Sequence, residues 1–115
     1  MTAVSDARAA LSDALSVVPG LRVYTDPGKS IQPPAAVVSL PDLQFEGYCV
    51  EPTGATFDIA VVVKLDDRAI ERLAELVLQV TEALSEVPKA AVQAARIGSW
   101  NDQLPAYNVE IEVSL

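Results

Sequence analysis

Histidine, the side chain that most often moves protons near neutral pH, is absent from this chain. Its one cysteine, Cys49, follows Tyr48 in an apolar stretch and has no histidine to activate it. It reads as a small hydrophobe rather than a nucleophile. Carboxylates remain. Glu110 and Glu112 fall on the same face of an alternating segment, roughly 7 Å apart by strand rise. Asp58 can join them from a neighbouring strand. Paired acids can hold a hard cation or share acid–base work, but a solvated strand face carries the same residues without doing either. Asp66 and Asp67 stand where a helix wants its cap. The glycines are scattered at turn positions and form no phosphate cradle. The bases do not cluster or alternate with aromatics, so no nucleic-acid footprint is present. No catalytic residue, cofactor site or metal site is assigned, and no enzymatic activity is expected.

The elements that would position these acids are legible. Tyr107, Val109, Ile111, Val113 and Leu115 alternate with Asn108, Glu110, Glu112 and Ser114, the pattern of a strand with one dry and one wet face. Thr56 to Leu65 alternates equally well, with Phe57, Ile59, Val61, Val63 and Leu65 against Asp58, Ala60, Val62 and Lys64. A helix over Val4 to Val18 carries Val4, Ala7, Leu11, Ala14, Leu15 and Val18 on one stripe, with Thr2 or Ser5 as cap and Pro19-Gly20 as stop. A longer helix runs from Asp67 to about Val87, striped by Ile70, Leu73, Val77, Val80, Leu84 and Val87. Leu76 and Leu78 lie off that stripe; the widened arc is either deep core or a second contact.

The remaining segments are shorter. Leu21 to Tyr24 is a strand candidate, Asp26 to Lys29 a turn, and Thr25 to Pro34 a loop with little to bury, expected to be mobile in the isolated subunit. Ala35 to Leu40 reads as a strand buried on both faces. Leu43 to Val50 reads as another, weakened or bulged at Gly47. Val92 to Trp100 forms a hairpin with the last strand around Asn101-Asp102-Gln103, and contains an unusual charge, Arg96. Trp100 is either a core lid or an interface anchor. The expected fold is α+β: an antiparallel or mixed sheet, with the N-terminal helix and the long helix packed on one face.

The 115 residues suit a single domain spanning 1–115. Half are hydrophobic, which argues against intrinsic disorder. The formal charge of −8 disfavours sequence-independent binding of DNA or RNA. A single cysteine allows no intrachain disulfide. No targeting segment is evident, and the longest apolar run is far too short to span a bilayer.

The N-terminal helix, Gly20-Leu21-Arg22-Val23-Tyr24, Pro33 to Pro41, the strand–helix unit Phe57 to Val87, Ile97-Gly98-Ser99-Trp100 and the closing strand form a familiar order. Over nearly the whole chain it resembles the tail terminator proteins of long-tailed bacteriophages, also called tail-completion or minor tail proteins. The resemblance lies in order and local phrases and carries no catalytic signature. It implies a hexameric ring of this chain at the head-proximal end of the tail, assembled in the host cytoplasm. The ring would contact the tail tube protein and a head-completion or connector protein, with no membrane involved. DNA would pass through without specific binding.

A wall around passing DNA should not grip phosphates. Asp58, Asn108, Glu110 and Glu112 are therefore the candidate channel-facing residues, with solubility at the outer surface as the plainer role. Leu76, Leu78 and Trp100 are the candidate subunit interface. Two other classes stay open. One is a small α+β regulatory or ligand-binding domain that dimerises through its sheet; the other is a metal-dependent enzyme using the Asp58, Glu110 and Glu112 face.

Overall fold

The computed structural model describes residues 3–25, 31–48, 50–100 and 104–115. Along the chain run helix α1 (Ala3–Leu15), strands β1 (Arg22–Tyr24), β2 (Ala35–Val38), β3 (Asp42–Gln44) and β4 (Gly54–Val62), helix α2 (Ala69–Ser85), and strands β5 (Ala90–Trp100) and β6 (Leu104–Ser114). The strands form one mixed sheet in the order β1-β2-β4-β6-β5. β3 pairs with β4 on the same edge as β2, further along the strand. β1 and β2 are parallel, and the other pairings are antiparallel.

The expected α+β class and the one-sided helix layer are what the chain adopts. Ala36 and Val38 of β2, Phe57, Ile59 and Val61 of β4, and Val109, Ile111 and Val113 of β6 form one core. Leu11 and Leu15 of α1 and Leu73, Val77, Val80 and Leu84 of α2 complete it. Strand residues at spacing two project from one face, so both helices cover the same side of the sheet. Phe57, Leu11, Leu15, Ile59, Leu84 and Ile111 are fully enclosed. Each is worth about 1.5–3 kcal/mol of hydrophobic burial. β2 is buried on both faces, but it ends at Val38 rather than Leu40, and Leu40 stands in solvent.

Several boundaries differ from the sequence expectation. α1 stops at Leu15 rather than Val18: after the Ser16 N–H to Ser12 carbonyl bond the chain tightens into a turn, and Pro19 disfavours helical backbone at Val18. Val18 stays in the core through a turn, its N–H bonding the Leu15 carbonyl at 3.1 Å. Ser5 lies inside the first turn and is not the cap; Thr2 lies outside the described residues. β4 ends at Val62. The Val63 N–H donates to the Pro105 carbonyl at 3.2 Å, and Pro105 has no N–H to return. The ladder stops there, and Leu65 turns out to solvent, 72% exposed.

Leu43 to Val50 is not one strand. Only Asp42–Gln44 pairs, against Gly54 to Thr56, and the apolar residues beyond it stand in solvent. The turns at Asp26 to Lys29 and Asn101 to Gln103, and Cys49, lie outside the described residues.

α2 begins at Ala69, with neither Asp66 nor Asp67 as its cap. Ala69 takes the stripe position assigned to Ile70, which is 81% exposed. Asp66 instead accepts the Arg68 N–H at 2.9 Å and pairs with the Arg72 guanidinium. The backbone hydrogen bond from Arg68, helped by Arg72, holds the Asp66 carboxyl below its ordinary value against a smaller opposing effect of desolvation. A depressed folded pKa means stabilisation that is present above the unfolded pKa and lost as pH falls through the folded one. Acidification below the usual aspartate range should therefore loosen the start of α2. Thermal unfolding of wild type and Asp66→Asn across that range checks this: the variant should lose part of the acid dependence, and identical profiles would contradict it.

β5 contains a bulge at Gln93. Val92 pairs with Ile111, and the next pairing is Ala94 with Glu110. One extra residue reverses the facing of everything after it. Without it, Arg96 would share the face of Val92, under the helices. With it, Arg96 lies opposite Asn108 on the helix-free face.

Candidate functional site

Asp58, Asn108, Glu110 and Glu112 share the sheet face that carries no helix. The register puts Asp58 directly opposite Glu110, Ala60 opposite Asn108 and Thr56 opposite Glu112. Directly opposed side chains stand about 5 Å apart at Cβ, where like charges repel. Arg96, brought to this face by the bulge, sends Nη1 to within 3.3 Å of Glu110 Oε2. Both partners are solvent-accessible, so the pair is worth at most about 1 kcal/mol. It relieves one of three close carboxylates and leaves the face acidic. The sequence showed Arg96 only as an anomaly; the bulge that makes sense of it has no local signature there.

The same face changes character along the strands. Towards the Val62 end, Ala35, Val37, Val62 and Ala106 are buried although no helix lies over them. Arg22 and Tyr24 of β1, paired with Ala35 and Val37, both bond Gln32 at this end. The Gln32 N–H donates to the Tyr24 hydroxyl at 3.2 Å, and Arg22 Nη1 donates to Gln32 Oε1 at 2.5 Å. Of the loop Thr25 to Pro34, residues 26–30 lie outside the described residues. Among the described residues, no group of three or more His, Cys, Asp or Glu is arranged to hold a metal ion.

The three interface candidates separate. Leu76 is half-buried against the core and lines a groove of about 160 Å³, together with Pro34, Val63, Lys64, Arg72, Glu75 and Gln79. Leu78 points to solvent, 68% exposed, and is one helical turn on from Glu75, outside the groove's lining. Trp100 is half-buried at the end of β5, opposite Leu104 at the apolar end of the helix-free face. These three do not form one patch. Leu78→Glu should leave the fold intact, shifting stability by no more than about 0.5 kcal/mol. It should abolish association between subunits, because a carboxylate closed into a contact without a partner is costly. Thermal melts and sedimentation check the two halves; a folded variant that associates normally removes Leu78 from the interface.

The largest missed feature is an arm at the other end of β4. Leu40, Leu43, Phe45, Tyr48 and Val50 are all exposed, Tyr48 and Val50 almost completely. Its base is fastened: the Thr53 N–H donates to the Gln44 carbonyl at 2.8 Å, and the Leu115 N–H to the Thr53 carbonyl at 3.0 Å. The signal lay in Pro41, Gly47 and Pro52, which interrupt this apolar stretch too often for a buried strand.

No protein-family model matches the chain, nor does any curated protein sequence. Among solved structures, the fold is similar to that of the gp17 protein of bacteriophage SPP1. The TM-score is 0.60 at 16% sequence identity, covering 98% of this chain and 91% of that one. At that identity the likeness is one of fold. No helix among the described residues is long and apolar enough to cross a membrane.

Proposed function

We propose that this chain is a structural protein of a long-tailed bacteriophage: a tail terminator whose ring caps the tail tube and joins it to the head connector. The observation that carries the reading is the near end-to-end likeness of fold to a phage protein, gp17 of SPP1. The order of sequence phrases, which resembles tail terminators, supports it independently. In this reading the chain acts without cofactor or metal, and its partners are further copies of itself, the tube protein and a head-completion protein. It resides in the virion, at the head-proximal end of the tail.

One observation favours the second reading, a dimer formed through the sheet. β5 is an eleven-residue edge strand, and its outer backbone groups have no ladder partner among the described strands. Mass in solution and electron microscopy of the purified protein separate the two. Closed rings support the terminator. A compact two-fold dimer, unchanged by concentration and absent from tube ends, contradicts it.

A further inference from the structure

The arm and the α2 groove lie at opposite ends of the subunit. The arm projects beyond Gly54, where β4 begins, whereas the groove is built from Val63 and Lys64, just past its end. Nine residues of strand separate them by about 27 Å. The molecule is drawn out accordingly, 52 × 26 × 23 Å. A subunit cannot place its own arm in its own groove.

The two surfaces are complementary. The arm segment 40–51 carries Asp42, Glu46 and Glu51 and no base. Leu40, Leu43, Phe45, Tyr48 and Val50 are in water, and so many large apolar side chains exposed within one short segment mark an interaction site. The groove has an apolar floor of Pro34, Val63 and Leu76, flanked by Lys64 and Arg72 against one acid, Glu75. Arg72 is already held by Asp66, whereas Lys64 has no ion-pair partner among the described residues. An acidic apolar arm facing a groove with an available cation is a matched pair.

We propose that the arm of one copy, led by Phe45, Tyr48 and Val50, seats in the α2 groove of the next, with Glu46 or Glu51 meeting Lys64. This deepens the ring reading and rests on it. A contact between two different surfaces is head-to-tail, and repeated head-to-tail contacts close into a ring when the rotation per subunit allows. The arm is thus the subunit's connector to its neighbour, and the groove is the receptor.

The test is a mixing experiment between two exposed-site variants. Tyr48→Asp disables the arm, and Lys64→Glu with Gln79→Glu disables the groove. All three positions are exposed, so the variants should fold, and thermal melts are the check. Each variant alone should be monomeric, with association weakened at least tenfold. An equimolar mixture should form one-to-one dimers and nothing larger, because it holds a single competent arm–groove pair. Glu46→Lys and Glu51→Lys combined with the groove variant should restore assembly. Four results would overturn the proposal: a mixture that stays monomeric, a mixture that closes full rings, variants that assemble like wild type, or wild type that never self-associates. The ring reading is judged separately by whether wild type caps tubes. Arm variants that keep wild-type self-assembly but lose capping would assign the arm to the tube protein and end the proposal.

Discussion

Phe57→Ala should lower the free energy of unfolding by about 3–5 kcal/mol, a large part of the 5–15 kcal/mol that holds a typical domain together. Phe57 is fully buried in the middle of β4, opposite Ile111 of β6, in the core shared with both helices. Removing its ring loses the transfer free energy and leaves a cavity lined by strand residues whose backbones are fixed on both sides. The site therefore has little freedom to collapse. A urea titration followed by far-UV circular dichroism and by the fluorescence of Trp100, the single tryptophan, measures the loss. A change below about 1 kcal/mol would mean that the helices do not press on this face as described.

The second large effect concerns the helix-free face. Replacing Asp58, Glu110 and Glu112 together by lysine reverses the sign of a patch that already contains Arg96. Asp58 and Glu112 are exposed and Glu110 half-buried, so the variant should fold and assemble. If the patch lines the channel, each new lysine that reaches a phosphate adds about 0.9 to the salt dependence of DNA binding. A retention of only about 1.4 kcal/mol summed around the ring slows DNA release about tenfold. Ejection from particles carrying the variant should be slower, and the delay should shrink as salt rises. Wild-type ejection rates at low salt would place these acids on the outer surface, where they serve solubility.

What the sequence made legible follows from how local each signal is. Phe57 to Val63 and Tyr107 to Leu115 alternate over enough residues that one face must be dry, and both form the centre of the sheet. The α2 stripe of Leu73, Val77, Val80 and Leu84 is equally local. The parallel pairing of β1 with β2 and the register that sets Asp58 against Glu110 are long-range, and no window of sequence contains them. Leu43 and Phe45 alternate as a strand would, yet β4 offers β3 only Gly54 to Thr56 to pair with, so the rest becomes the exposed arm. The bulge at Gln93 is hidden for a similar reason: it is defined by two strands, and Ala-rich β5 shows little contrast between its faces. The acid face was therefore foreseen residue by residue, but its counter-charge and the arm were not.

The central claim, that this chain ends the tail tube, is tested most directly by assembling tails with and without it and imaging their ends. Tubes assembled with the protein should stop at one length and carry a ring at one end. Tubes assembled without it should grow past that length and lack the ring. Tubes that stop at the same length in its absence, with the protein found at neither end when it is supplied, would contradict the account.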